Sequence, residues 1–132
     1  VNISSMGGFI PFPGQTIYST TKAAVKTLTE GLYAELKNSN VKVTVVHPGA
    51  IATNITKNSG IEMPRLSENN SKKSSMKALP ADQAAKIIIN AVEKNKFRVL
   101  VGKDASFLDL FYRINPEKAV NFIVKKMSSM MK

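Results

Sequence analysis

Three short strand-forming runs, each followed by residues with helical periodicity, restrict this chain to an α/β fold. Val1 to Ser5 reads as a short buried strand. Val41-Lys42-Val43-Thr44-Val45-Val46 alternates at first and then becomes continuously apolar, as a strand covered on both faces of a parallel sheet does. Phe97 to Gly102 is the third run. Between the first two, Ala24, Val25, Leu28, Leu32 and Leu36 recur at steps of three and four, which predicts a helix over about 16–38. Pro80 at a first helical position and Asp82 in the first turn open a second helix, with Ala84, Ile87, Ile88, Ala91 and Val92 as its apolar stripe. A third is expected over about 105–114. Asn115 then caps a last helix that Pro116 starts, running through Lys126 and beyond on a stripe of Ala119, Val120, Ile123, Met127 and Met130. Parallel strands need crossovers, and the helices provide them. Three strands are too few for a complete doubly wound sheet, and the chain opens on Val1 inside a strand, so residues 1–132 are read as a single incomplete domain with sequence expected upstream.

The connections differ in kind. Met6 to Gly14 is too rich in Gly and Pro to continue a strand or a helix and is expected to be a loop. His47-Pro48-Gly49 should terminate the second strand. The polar stretch 56–77 exceeds ordinary connections and reads as a mobile lid. The absence of cysteine excludes disulfides and thiolate metal sites, and a single histidine, His47, leaves no zinc cluster; His47 is expected to be structural, and no metal is proposed. No run of about eighteen apolar residues is present to span a bilayer, nor does the start have the order of a signal peptide, so the expected location is the cytoplasm. The net charge of +10 raises nucleic acid as a partner, but the lysines are dispersed and lack aromatic interleaving, so a solvated surface with no nucleic acid is expected. Lysines mixed with apolar positions leave peripheral membrane contact through the C-terminal helix as a further expectation.

Tyr18 and Lys22 lie four residues apart at the start of a helix, hence on one face, one turn apart. An ammonium close to a phenol favours its deprotonated form, and the positive end of the helix acts in the same direction. Such a pair alone is commonplace on surfaces. Here a strand ends at Asn2-Ile3-Ser4-Ser5 and a Gly/Pro-rich loop leads straight to Tyr18, so a hydroxyl at the sheet edge can meet the phenol. Open α/β sheets bind ligands at that carboxyl edge.

Three segments, Asn2-Ile3-Ser4-Ser5, Tyr18-Ser19-Thr20-Thr21-Lys22-Ala23-Ala24 and His47-Pro48-Gly49-Ala50-Ile51-Ala52-Thr53, closely resemble the short-chain dehydrogenase/reductase family. Ser5 precedes Tyr18 by thirteen residues, the family spacing for its active serine; Ser4 would be one too early. The resemblance implies the C-terminal, catalytic part of a Rossmann-like, doubly wound parallel sheet with flanking helices. It implies Ser5, Tyr18 and Lys22 as the catalytic group of an NAD- or NADP-dependent oxidoreductase acting on a secondary alcohol or carbonyl. Tyr18 would exchange the proton and Ser5 would polarise the substrate oxygen. Lys22 would assist Tyr18 and bind the nicotinamide ribose. Tyr18, Lys22, Pro48, Gly49, Ile51 (through its backbone) and Thr53 (through its hydroxyl) would contact the cofactor, and residues 56–77 would form the substrate lid.

The family's Gly-rich pyrophosphate turn, its acidic or basic selector between NAD and NADP, and an upstream active-site Asn do not occur in this sequence, so the N-terminal dinucleotide-binding half is read as absent. A homo-oligomer is expected of the full-length protein, with the helix after Tyr18, opened by Gly31, as a pairing face. The rival reading is a non-catalytic truncated module that keeps the motifs by descent and associates with a protein partner.

Overall fold

In the computed structural model, which describes residues 1–58 and 78–130, three parallel strands form the main sheet. They are β1 (Asn2–Ile3), β2 (Val45–Pro48) and β5 (Arg98–Val101), in the spatial order β1-β2-β5, with Ile3 opposite Val46 and Pro48 opposite Val101. Helix α1 (Thr16–Glu35) crosses from β1 to β2, and α3 (Ala81–Glu93) returns to β5. Helices α4 (Lys103–Ile114) and α5 (Pro116–Met130) complete the chain. This is the α/β, Rossmann-like architecture expected, with a parallel sheet between helices. A second parallel pair, β3 (Ile51–Ala52) with β4 (Leu79–Pro80), and a four-residue helix α2 (Ile55–Asn58) lie beyond the strands that were anticipated.

Alternation along β2 divides the core. Val46 packs with Val99 and Val101 toward α3, against Ala84 and Ala91. On the other side Ile10, Leu108, Ala119 and Ile123 close a second cluster with Phe9, Phe12 and Phe111 around it. Val45, Val46 and Val101 have no exposed surface, and each such side chain contributes about 1.5–3 kcal/mol by leaving water.

Several local expectations need correction. The strands are shorter than the β-branched runs: β1 covers two residues, and Ile3 is 45% exposed because β1 has a neighbour on one side only among the described residues. Strand β2 runs on through His47 and Pro48, so the turn is Gly49-Ala50. The Gly-rich loop contains a 3-10 turn over Met6–Gly8 capped by Ser5. Pro80 stands just before α3 and takes part in β4, because its backbone is extended there. Helix α1 stops at Glu35, earlier than predicted, and α4 begins at Lys103. Asn115 behaves as expected, its Oδ1 accepting the Lys118 N–H at 2.9 Å.

The apolar stripe assigned to α1 is the largest difference. Leu28 is 62% exposed, while the fully buried positions of α1 are Ser19 and Thr29. Thr29 is satisfied there, its Oγ1 donating to Val25 O at 2.6 Å and accepting from Asn2 Nδ2 at 3.1 Å, whereas the buried Ser19 Oγ has no hydrogen-bond partner. Lower down, Tyr33 stacks on Phe97 with ring centroids 4.2 Å apart. Residues 59–77, most of the expected lid, lie outside the described residues.

Candidate active site

The carboxyl ends of β1, β2 and β5 lie side by side, and the residues that follow them form the site. After β1 comes Ser5, whose extended backbone (φ −162, ψ 163) starts the 3-10 turn. Its Oγ accepts the Gly7 N–H at 3.1 Å, which leaves the hydroxyl proton to be donated outward.

Tyr18 stands in the first turn of α1, 45% exposed. A Cβ added to Gly7 would lie 3.5 Å from Ser5 Oγ and 3.4 Å from Tyr18 Cε1, so the serine hydroxyl and the tyrosine ring border one small space. Lys22 Nζ is 5.8 Å from the Tyr18 ring centroid and donates to Ile3 O at 3.2 Å. One of the ammonium's three protons is thereby used and two remain available.

The close seat of the 3-10 turn on α1 depends on Gly8. A Cβ there would come within 2.8 Å of the Lys22 carbonyl oxygen and would also meet Ser4 Oγ, which donates to that carbonyl at 2.7 Å. Any side chain at position 8 would push the Ser5 segment away from Lys22.

Pro48, Gly49, Ile51 and Thr53 follow at the neighbouring strand end. Pro48 closes β2, Ile51 pairs with Leu79 and reaches the core, and Thr53 is exposed. Gly49 is required for a reason the sequence did not suggest. A Cβ on it would collide with the Asp104 carboxylate, which accepts the Ala50 N–H at 2.7 Å. Asp104, in the first turn of α4, therefore pins the turn after β2 to the end of β5. An acidic residue opening a helix just after a strand was its only signal in the sequence.

His47 is fully buried. Its Nδ1 lies 3.0 Å from Ser5 O and its ring packs edge-on against Phe9 at 5.5 Å. Burial, reinforced by the Arg98 and Lys26 charges, holds its pKa below the ordinary 6.5, although the Ser5 contact and Asp109 pull the other way. Arg98 lies over the Phe9 ring, 5.6 Å from its centroid, and grips Asp109 through two hydrogen bonds of 2.9 and 2.7 Å. Burial would raise the Asp109 carboxyl, but Arg98 and then Arg113 outweigh it and hold it below the usual carboxylate range. Among the described residues, no group of three His, Cys, Asp or Glu could hold a metal ion.

The fold defines the class, a Rossmann-like α/β protein, and Ser5, Tyr18 and Lys22 are grouped at the carboxyl edge of its sheet. Residues 1–63 match the family described as short chain dehydrogenase. The Mycobacterium tuberculosis oxidoreductase SadH is 38% identical over 120 residues, an alignment covering 86% of this chain and 43% of SadH. A short-chain dehydrogenase from Streptomyces avermitilis superposes with a TM-score of 0.63 at 31% identity, over 98% of this chain and 51% of its own. At the level of fold alone, a Burkholderia cenocepacia short chain dehydrogenase solved in complex with NADP superposes with a TM-score of 0.72 at 22% identity, over 92% of this chain and 45% of its own. The chain thus spans about half the length of the proteins it matches. In these stretches the chain is similar to members of the short-chain dehydrogenase family.

Proposed function

We propose that this chain supplies the catalytic, C-terminal half of an NAD(P)-dependent oxidoreductase that interconverts a secondary alcohol and a carbonyl compound. The observation that carries the reading is the shared space bordered by Ser5 Oγ and the Tyr18 ring, with the Lys22 ammonium behind it. In the oxidative direction the Tyr18 phenolate takes the substrate hydroxyl proton, and in reduction the phenol returns it to the carbonyl oxygen. Ser5, held as an acceptor by Gly7, donates its own proton to the same oxygen and so stabilises the charge that gathers there. Lys22 opposes the negative charge on Tyr18 electrostatically.

The residues fit a nicotinamide dinucleotide. Lys22 keeps two N–H groups for ribose hydroxyls, and Pro48, Gly49, Ile51 and Thr53 line the adjoining strand end, with the Thr53 hydroxyl on the surface. The cofactor would supply the hydride or accept it. The NADP bound by the Burkholderia cenocepacia neighbour supports this assignment.

The outward face of α1, with Ile17 79% and Leu28 62% exposed and open space beside Gly31, suits pairing with a second copy of the protein. Among the described residues no helix is long and apolar enough to cross a membrane. The proposed setting is the cytoplasm, with peripheral membrane contact through α5, where the partly exposed Phe122 adjoins Lys126.

The test is nicotinamide absorbance followed in the full-length protein over a panel of ketones and secondary alcohols. Tyr18→Phe should lower kcat by about 100-fold or more, the usual contribution of a positioned proton donor. Undiminished turnover in that variant would remove Tyr18 from the mechanism. Failure of the full-length protein to bind either dinucleotide would favour the rival, a non-catalytic module with a protein partner.

A further inference from the structure

The β1–β2 ladder ends in an unusual way. Asn2 donates to Thr44 O at 3.0 Å and Ser4 to Val46 O at 2.8 Å, so the next donor back from β2 falls at residue 48. That residue is Pro48, which has no N–H. Immediately before it, His47 sends its side chain across to β1 and meets Ser5 O with Nδ1 at 3.0 Å. We infer that His47 is a positioning residue for the site, its imidazole Nδ1–H bonding the Ser5 carbonyl just beyond the point where Pro48 ends the ladder and so fixing Ser5 for substrate contact. The inference rests on the proposed role of Ser5.

Three bonds then immobilise Ser5. Its Oγ accepts from Gly7, and its carbonyl accepts from Gly8 N at 2.9 Å and from His47. Both lone pairs of that carbonyl are thereby occupied. A carbonyl can only accept, so the neutral imidazole must carry its proton on Nδ1, leaving Nε2 as a bare acceptor. The surroundings agree with that tautomer. His47 is 0% exposed, and Nε2 is buried with no hydrogen-bond partner, a position that places no demand for a proton there. The ring cannot readily turn to exchange its nitrogens, because Phe9 covers it edge-on and is itself covered by Arg98, which Asp109 holds by two hydrogen bonds. The charged groups acting on this ring are Arg98 on β5, Lys26 on α1 and Asp109 on α4.

The experiment compares His47→Asn with His47→Leu in the full-length protein. Asparagine can set an amide N–H near the position of Nδ1, whereas leucine offers no donor. The leucine variant should lose about ten- to a hundredfold in kcat, the scale of displacing a reacting group by a fraction of an ångström to an ångström, while KM for the dinucleotide stays put. The asparagine variant should recover most of that loss. Equal impairment of the two variants, or a leucine variant as active as the parent, overturns the proposal. If leucine prevents folding, histidine nitrogen NMR on the parent decides it, with the His47 resonances identified by their loss in His47→Asn. A protonated Nδ1 is the expected result, and a protonated Nε2 refutes it. An inactive Tyr18→Phe beside fully active His47 variants would sink only this inference, whereas an active Tyr18→Phe would sink the reading of the site.

Discussion

Removing the Asp109 carboxylate should be among the most damaging single changes outside the proposed site. Asp109 is 7% exposed and receives both arms of Arg98, at 2.9 and 2.7 Å, as well as Arg113 Nε at 3.1 Å. The Arg113 side chain is 61% exposed, so water replaces its partner at little cost. Arg98, on β5, is different: its side chain is only 18% exposed and lies against the Phe9 ring, so in Asp109→Ala a guanidinium is left without its counter-charge in a place water reaches poorly. Breaking a buried pair from one side typically costs 3–5 kcal/mol, and the partly exposed edge of Arg98 argues for the lower end, about 3 kcal/mol. For a chain of 132 residues that corresponds to a fall in Tm of roughly 10 °C. Thermal and urea unfolding followed by circular dichroism measure it directly. The double variant Arg98→Met with Asp109→Leu should regain most of the loss, because an apolar pair has no charge to leave unpaired. A loss of less than about 1 kcal/mol in Asp109→Ala would refute the reasoning, since it would mean that Arg98 is already solvated as a surface cation.

Three further outcomes are expected. The folded state keeps the His47 pKa below the unfolded value of 6.5, so the unfolded chain takes up the proton first as pH falls through that value. The contribution from neutral His47 is complete above that pH and lost below it, and urea midpoints should decline between about pH 7 and about pH 5 in the parent but less in His47→Asn. In Gly49→Ala the new methyl group collides with the Asp104 carboxylate, which should displace the Ala50 turn and raise KM for the dinucleotide more than it lowers kcat. An unchanged KM would detach the turn from cofactor binding. Thr29→Val keeps the shape of a fully buried side chain but strands Asn2 Nδ2, and should cost about 1–2 kcal/mol by chemical denaturation. A neutral result would show that Asn2 finds water instead.

The elements that local chemistry specifies were legible before the structure. Helices α3 and α5 follow the spacing of Ala84, Ala91, Ala119 and Ile123, and Asn115 with Pro116 marks the boundary between α4 and α5. The same method misplaced the buried side of α1, because hydrophobicity was taken to mark burial there. Instead Thr29 is inside and satisfied by Asn2 and Val25, while Leu28 faces out. Periodicity reports the apolar side of a helix, and it cannot tell whether the sheet or some other surface covers that side. The site divides along similar lines. The candidates Tyr18 and Lys22 stand out through a four-residue step on one helix, and Ser5 through the spacing that the family resemblance implies. The residues that hold the strand ends in place did not, because His47 reaches Ser5 across 42 positions of sequence and Asp104 reaches Ala50 across 54. Neither contact has a local pattern. Each exists only because the parallel register brings the carboxyl ends of β1, β2 and β5 level, Ile3 beside Val46 and Pro48 beside Val101, and no residue spacing within a single element encodes that alignment.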